Sequence, residues 1–155
     1  MLAEFIDRPI SGQFPEKHFG SIEPFAKWVK FTDNNYQEWA GSFTKGWDGN
    51  PTLIINLENE RNAFIVVGGI GYFVDIIARK LTNDIEISGI KTVIADITNR
   101  RIIFSCGYNL QCLDFEGKIF TLFDDYFFDE IEFIKISDNK LYIRYWYYQR
   151  DENPF

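Results

Sequence analysis

Histidine and methionine each occur once in these 155 residues, cysteine twice and proline five times. The lone imidazole, His18, cannot build a multi-histidine metal centre, and no serine, cysteine or carboxylate stands at a telling spacing to make it a general base. It is expected at the surface or in a loop. Two cysteines are too few for a disulfide scaffold, and 11 glycines with 5 prolines are too few for a collagen-like chain. Long apolar runs are missing as well. The longest stretch free of charged and strongly polar groups, Ala63–Val74, falls short of the roughly 20 residues a membrane-spanning helix needs. The opening Met1-Leu2-Ala3-Glu4-Phe5-Ile6-Asp7-Arg8 carries acids where a secretory signal requires an apolar core. No Asn-X-Ser/Thr acceptor occurs, and with so few cysteines the chain is expected in a reducing cytoplasm. Positive charge is also scarce: 16 Lys and Arg face 23 Asp and Glu, a net charge of −7. A surface of that sign repels phosphate backbones and anionic membranes, so the expected partner is a basic protein and not nucleic acid or membrane.

What the chain has in quantity is apolar and aromatic side chains. Hydrophobic residues make up 46% and aromatic residues 18%, enough to exclude disorder and to fill the core of one domain spanning 1–155. Short runs of Val, Ile, Phe and Tyr alternate with turn residues from about Phe25 onward. In Glu130–Trp146, Ile131, Phe133 and Lys135 fall on one side, with Glu132, Ile134 and Ile136 on the other. Asp138-Asn139 follows, a pair that tolerates positive φ, and the pattern predicts a β-hairpin. Similar strand–turn–strand units surround Asp33-Asn34, Asn59-Glu60 and Thr98-Asn99. The last residues before the four turns, Phe31, Leu57, Ile97 and Ile136, are separated by steps of 26, 40 and 39 residues. The two longer steps match the period of one four-stranded propeller blade. Hairpin units are placed near 25–43, 52–79, 91–123 and 130–148, after an irregular leader over 1–24. Tyr72–Arg79, Leu110–Phe115 and Lys118–Phe123 supply intervening strands. The expected fold is all-β: an antiparallel meander of about ten strands, with blade-like sheets packed face to face or in an incomplete propeller-like arrangement.

The segment Val93–Ile119 resembles a blade of the quinoprotein-type (PQQ-like) propeller repeat. The likeness rests on the Asp96 turn, the Gly107 step and the strand end Leu113-Asp114-Phe115-Glu116-Gly117-Lys118. Phe120 stands where that repeat usually has a tryptophan after its Gly-Lys turn. The chain also resembles uncharacterised small bacterial proteins with blade-like meanders, through Asp124–Phe133 and the closing Pro154-Phe155. Both resemblances imply blade-like sheets.

Few residues suggest chemistry. Gly69-Ile70-Gly71, following the strand-like Ala63–Val67, resembles the glycine turn of a dinucleotide site, with Asp96 as a candidate for a ribose hydroxyl. Val74 replaces the third glycine, and the β-branched Val74, Ile76 and Ile77 favour a strand where a helix is needed. Gly68 and Gly69 are therefore expected in a turn or bulge, with a small-molecule or nucleotide-dependent enzyme using Gly69–Gly71 as an alternative. Cys106 and Cys112 are expected as packed thiols or a labile disulfide, diagonal neighbours on one face, with Cys106 opposite Leu110 and Cys112 opposite Phe104. The acids Asp124, Asp125, Asp129, Glu130 and Glu132 surround Tyr126-Phe127-Phe128 without the central glycine of an EF-hand loop. They read as a solvated loop with aromatics dipping inward, as the carboxylate pair of a glycosidase-type hydrolase, or as a negative, aromatic patch for a basic partner. Trp39, Trp47 and Trp146 read as packing residues, Trp47 capping a sheet end from the turn Trp47-Asp48-Gly49-Asn50-Pro51. An exposed Trp47 beside Asp48 would instead mark a binding site. No catalytic set, cofactor site or metal site is assembled. The expected function is a non-enzymatic protein-binding domain, in its specific form a bacterial immunity protein neutralising a basic toxin. Its partner-binding candidates are Trp47, Asp48, Asp124, Asp125, Tyr126, Asp129 and Glu130. A structural β-module that binds through an exposed sheet edge is the further alternative.

Overall fold

The computed structural model describes residues 1–20, 25–57, 61–107, 109–124 and 128–147. Every regular element among them is a β-strand, and the strands form four separate sheets, none closed on itself. The first sheet contains β1 (Leu2–Ile6), β2 (Glu16–Phe19), β3 (Lys27–Thr32) and β4 (Glu38–Phe43), in the order β1-β3-β4-β2. The second is the meander β5 (Leu53–Asn56), β6 (Asn62–Val67), β7 (Ile70–Asp75) and β8 (Lys80–Ile87). The third repeats it with β9 (Thr92–Asp96), β10 (Arg101–Ser105), β11 (Asn109–Asp114) and β12 (Ile119–Asp124). The fourth holds two strands, β13 (Phe128–Ser137) and β14 (Lys140–Tyr147). All pairings are antiparallel except β2 with β4.

Alternation along the strands sets how the sheets stack. On β6, Ala63, Ile65 and Val67 join a cluster with Phe31, Trp39 and Phe43 of the first sheet, while Phe64 and Val66 join Ile102, Phe104 and Leu113 of the third. A strand covered on both faces has no polar side, which explains the uninterrupted apolar stretch that begins at Ala63. The third sheet repeats the device. Ile102 and Phe104 face the second sheet, and Ile103 with Cys112 meets Phe133, Ile136 and Leu141 of the fourth. Buried side chains therefore join each sheet to the next across three successive interfaces.

Antiparallel order divides the turns between two rims. At one, the linkers between sheets meet hairpin ends: Trp47 N–H donates to Gly68 O (2.9 Å), Ile90 N–H to Gly69 O (2.9 Å) and Lys91 N–H to Ser105 O (2.7 Å). At the other, Phe115 N–H donates to Arg100 O (3.1 Å) and Asn99 Nδ2 reaches Asn139 Oδ1 (3.4 Å). This second rim repeats one local motif. An aspartate ends a strand or directly follows it, its Oδ1 accepts backbone N–H groups of the turn, and a residue with positive φ follows three or four positions later. Asp33 accepts from Asn35 and Gln37 before Tyr36 (φ 60°), and Asp75 accepts from Ile77 and Ala78 before Arg79 (φ 54°). Asp96 accepts from Asn99 before Arg100 (φ 52°), and Asp114 accepts from Lys118 after Gly117 (φ 86°). The carboxylate satisfies turn donors that the strand ladder leaves unpaired.

Asp96 is the most buried of these carboxylates in an ion pair. Its Oδ2 accepts from Arg101 Nε (2.9 Å) and Asn99 Nδ2 (2.9 Å). Burial opposes its ionisation, but the hydrogen bonds from Asn99 and Arg101 outweigh that and hold the carboxyl below its ordinary value. Because the folded state depresses this pKa, the contribution is fully present above the unfolded value near 3.9 and is lost as pH falls through the lower folded value. Asp96→Asn is expected to cost about 1–2 kcal/mol at pH 7, and the gap to the parent protein should narrow below about pH 4. Urea titrations at pH 7 and pH 3 check this; a gap that widens in acid contradicts it.

Several expectations change. The strands number fourteen among the described residues, not about ten. The leader is not irregular throughout: Ala3 sits opposite Phe31 in β1, and β2 lies along β4. The strand expected over Tyr72–Arg79 ends at Asp75, where its Asx turn begins, and β8 follows. In β13 a bulge at Ile134 shifts the register, so Ile136 joins the inward side with Ile131 and Phe133, while Lys135 turns outward opposite Tyr142. The cysteine register also differs by one residue. Ser105 pairs with Leu110, and Cys112 with Ile103, because Cys106 N–H is taken by Asn109 Oδ1 (3.3 Å) within a longer loop. Cys106 therefore packs toward the second sheet and Cys112 toward the fourth, both as free thiols. Burial pushes both thiols up, at Cys112 with Arg101 opposing and Asp114 adding to it. Thiol oxidants are expected to yield no bond between them, so peptide maps with and without reductant should agree. His18 lies on β2, at the surface as expected, with Nδ1 2.6 Å from Ser42 Oγ and its ring edge-on to Trp28.

Candidate binding rim at Trp47

The linker from β4 to β5 is held at four points by the hairpin that joins β6 to β7. Gly46 N–H donates to Val67 O (3.1 Å) and Trp47 N–H to Gly68 O (2.9 Å). Gly69 N–H returns a bond to Pro51 O (2.9 Å), and Gly68 N–H one to Thr52 Oγ1 (2.8 Å). Between these anchors Asn50 N–H closes on Trp47 O (3.3 Å) across Gly49, whose φ of +93° supplies the left-handed turn position. The backbone beneath Trp47 is thus fixed by the second sheet, while its indole projects outward and is 82% exposed. Asp48 is paired with Lys45, an exposed contact of small energetic worth that an incoming group can displace.

Beside the indole lies a groove of about 720 Å³ lined by Asp48, Asn50, Ser88 and the backbone at Gly68 and Gly89. Lys91 Nζ reaches across to Asn50 Oδ1 (3.1 Å). A recess of about 370 Å³ shares Lys45, Gly46 and Asp48 and is bounded by Phe25, itself 79% exposed. Two large rings, a carboxylate and an amide therefore share one rim. Neither lining contains a histidine or cysteine. Such a surface can stack on a flat or aliphatic group, with Asp48 and Asn50 as acceptors beside the ammonium groups of Lys45 and Lys91.

Trp47 was expected to cap a sheet end by packing; it stands in solvent because the linker is anchored through backbone atoms and the ring has no role in holding it. Trp39 is the packing residue, 1% exposed, and Trp146 is about half exposed on β14. Asp124 ends β12 and is exposed, and Glu130 is exposed on β13 opposite Trp146. Antiparallel order places both near the linker rim, on the third and fourth sheets, while Trp47 and Asp48 stand at the second. Asp125 and Tyr126 lie outside the described residues, and of Asp129 only the backbone, in β13, is described. Phe25, Asn50 and Lys91 escaped the sequence reading. Only Asn50, inside the Trp47–Pro51 turn, carried a signal.

The glycine motif has a different role from a nucleotide turn. Gly68 and Gly69, with φ of 58° and 80°, form a two-residue hairpin between antiparallel strands. No helix follows among the described residues, so the helix N-terminus that receives a pyrophosphate is absent there. Gly71 is small because a Cβ would meet the Phe64 ring at 2.6 Å and Ile90 Cδ1 at 2.7 Å. Asp96 sits on the opposite rim with both oxygens engaged in its own turn. The alternative of an enzyme using Gly69–Gly71 loses its geometric basis.

No helix among the described residues is long and apolar enough to cross a membrane. Comparison with family models, with curated proteins and with solved structures gives no match to this chain.

Proposed function

We propose that this chain is a non-enzymatic protein-binding domain whose contact surface is the linker rim around Trp47 and Asp48, and whose partner is basic. The single observation that supports this most is a tryptophan exposed to 82% on a backbone pinned by four hydrogen bonds. Rigid exposed aromatics lose little entropy on association and dominate interface energetics. The net charge of −7, with Asp124 and Glu130 near the same rim, steers a cationic partner to it. The specific form is an immunity protein of bacterial origin, acting in the cytoplasm, that covers a basic toxin such as a nuclease. Asp125, Tyr126 and Asp129 are included as contributors to the acidic part of that surface. The propeller-like part of the reading is kept here too: β1 approaches β5 and β9 approaches β13, as the inner strands of neighbouring blades would.

The test is a binding titration against basic toxin candidates encoded beside this chain, at low and high salt. Trp47→Ala is expected to leave stability within about 0.5 kcal/mol of the parent, because the ring is exposed. The same change should weaken the complex by about 30-fold or more, the size of an interface hot spot. Tight binding that ignores Trp47→Ala and Asp48→Asn would refute this site; no complex at micromolar concentration with any candidate would refute the immunity reading.

A further inference from the structure

The groove beside Trp47 combines one exposed ring with coupled polar groups. The indole is 82% exposed on a backbone fixed by four hydrogen bonds. Around it, donors and acceptors come in pairs. Lys45 is paired with Asp48, and Lys91 Nζ donates to Asn50 Oδ1 (3.1 Å). Ser88 adds a hydroxyl, which can donate and accept. Two ammonium groups stand against one carboxylate, so charge at the groove is nearly balanced and its ligand need carry none. The volume of about 720 Å³ falls within the roughly 300–1,000 Å³ of small-ligand clefts. At Lys45, Gly46 and Asp48 the groove meets the second recess, of about 370 Å³, which Phe25 borders with a ring 79% exposed. Each of two exposed rings therefore adjoins the same carboxylate–ammonium pair.

We infer that this groove binds a saccharide, a β-linked gluco-oligosaccharide, with one pyranose ring stacked on Trp47 and the chain running past the Lys45–Asp48 pair toward Phe25. An indole face carries partial negative charge and favours a flat partner that lays C–H groups on it. A pyranose whose substituents are all equatorial offers axial C–H groups alone on its faces, and a β-linkage keeps the substituent at C1 equatorial too. The rim of the same sugar carries vicinal hydroxyls, each a donor and an acceptor at one atom. Neighbouring hydroxyls match a coupled Lys–Asp or Lys–Asn contact: the ammonium donates to one, and the carboxylate or amide oxygen accepts from the next. Both couples are exposed contacts of small worth, so exchanging them for hydroxyls costs little. A purely aromatic ligand would cover the indole but leave the polar couples facing apolar surface, at the cost of their hydrogen bonds. An open-chain polyol would suit the couples and leave the indole in water. Only a ring with an apolar face and a hydroxyl rim meets both demands. The backbone anchors beneath Trp47 hold the site in place before the ligand arrives, which lowers the ordering cost of binding. The inference goes beyond the proposed function: it gives the groove a small ligand of its own, which a protein seated on Trp47 would exclude.

Nuclear magnetic resonance titrations of the full, isotope-labelled chain test it with cellobiose, cellotetraose, benzyl alcohol and erythritol. Cellobiose should shift the Trp47 indole and the Gly49 and Gly89 amides, with a dissociation constant of about 1 mM. Benzyl alcohol has a ring without vicinal hydroxyls, and erythritol has hydroxyls without a ring face; each should bind at least about tenfold more weakly. Trp47→Ala and Asp48→Ala should each weaken cellobiose by about tenfold or more, read at the Gly89 amide, while Trp47→Tyr restores part of the loss. Cellotetraose should bind more tightly than cellobiose, and Phe25→Ala should remove that gain. The absence of a cellobiose shift up to about 10 mM, ten times the expected constant, would overturn the inference. Equal binding of benzyl alcohol or erythritol would do the same, as would cellobiose affinity unchanged by Trp47→Ala or a cellotetraose gain that survives Phe25→Ala. The protein reading is scored apart from this one. A toxin complex that depends on Trp47 while cellobiose gives no shift removes the saccharide and keeps the rim; cellobiose binding with no toxin complex does the reverse.

Discussion

Trp39→Ala is expected to cost about 3–5 kcal/mol, a large part of the 5–15 kcal/mol that stabilises a typical domain. The indole is 1% exposed and stacks on Phe31 with centroids 4.1 Å apart and planes 14° from parallel. Phe19 leans on its other side at 6.3 Å. Its Nε1–H crosses from the first sheet to the second and donates to Ile76 O at 2.9 Å, immediately after β7 ends. Truncation therefore empties the middle of the interface between two sheets and strands a buried carbonyl. Trp39→Phe separates the two losses: it keeps most of the apolar volume and drops the hydrogen bond, for about 1–2 kcal/mol. Urea denaturation followed by far-ultraviolet circular dichroism measures both. A loss below 1 kcal/mol for the alanine variant would mean that the first sheet contributes little to holding the stack together.

The parts of this architecture that were legible share one property: the local pattern and the tertiary environment ask for the same residues. Asp138-Asn139 and Gly68-Gly69 tolerate positive φ in isolation, and each does adopt it in a hairpin. Ala63–Val67 is apolar at every position because sheets cover both of its faces. The turns after Ile97 and Ile136 fall on a common rim, where Asn99 Nδ2 reaches Asn139 Oδ1, while the turn after Leu57 lies outside the described residues. Where the reading missed, the residues answer to a neighbour far along the chain. β2 buries Phe19 alone, and its partner β4 begins nineteen positions after β2 ends, so Glu16-Lys17-His18 carries no strand signal. β8 is an edge strand interrupted at Asn83-Asp84, and such a dipeptide reads as a turn. The bulges at Leu122 and Ile134 change side-chain facing without any local mark. The aspartate turns were legible in principle. Asp75, Asp96 and Asp114 each follow an apolar residue and precede a basic one by four or five positions.

The candidate rim was legible only in part, for a physical reason. Trp47-Asp48-Gly49-Asn50-Pro51 announces a turn, yet nothing in those five residues says whether the ring dips inward or stands out. That is decided by Gly46 and Gly68, whose backbones touch, and by four hydrogen bonds to a hairpin twenty residues away. The same contact explains why the rim is rigid enough to present an aromatic ring to a partner: the linker rests on backbone, which has no rotamers to exchange.

Gly46→Ala is therefore expected to damage stability and recognition together. Gly46 does not occupy the left-handed region, so its need for glycine is purely steric: a Cβ there would overlap Gly68 O and lie 3.0 Å from Gly68 C and Ile70 Cγ1. The carbonyl belongs to the hairpin between two buried strands and cannot swing aside as a side-chain tip would. Relief comes only by lifting the linker, which stretches the bonds from Gly46 N–H to Val67 O and from Trp47 N–H to Gly68 O. Overpacking of this kind costs about 1–3 kcal/mol, and a lost backbone hydrogen bond adds about 1 kcal/mol. Gly49→Ala is the matched control. Its φ of +93° strains any other residue, but a Cβ there meets open space, so the loss should stay near 1 kcal/mol and leave the anchors intact. Denaturation curves should thus rank Gly46→Ala well below Gly49→Ala and Trp47→Ala, while partner binding should fall for Gly46→Ala as steeply as for Trp47→Ala. If Gly46→Ala proves as stable as the parent, the linker is not seated on the hairpin, and the rigidity assigned to the Trp47 rim goes with it.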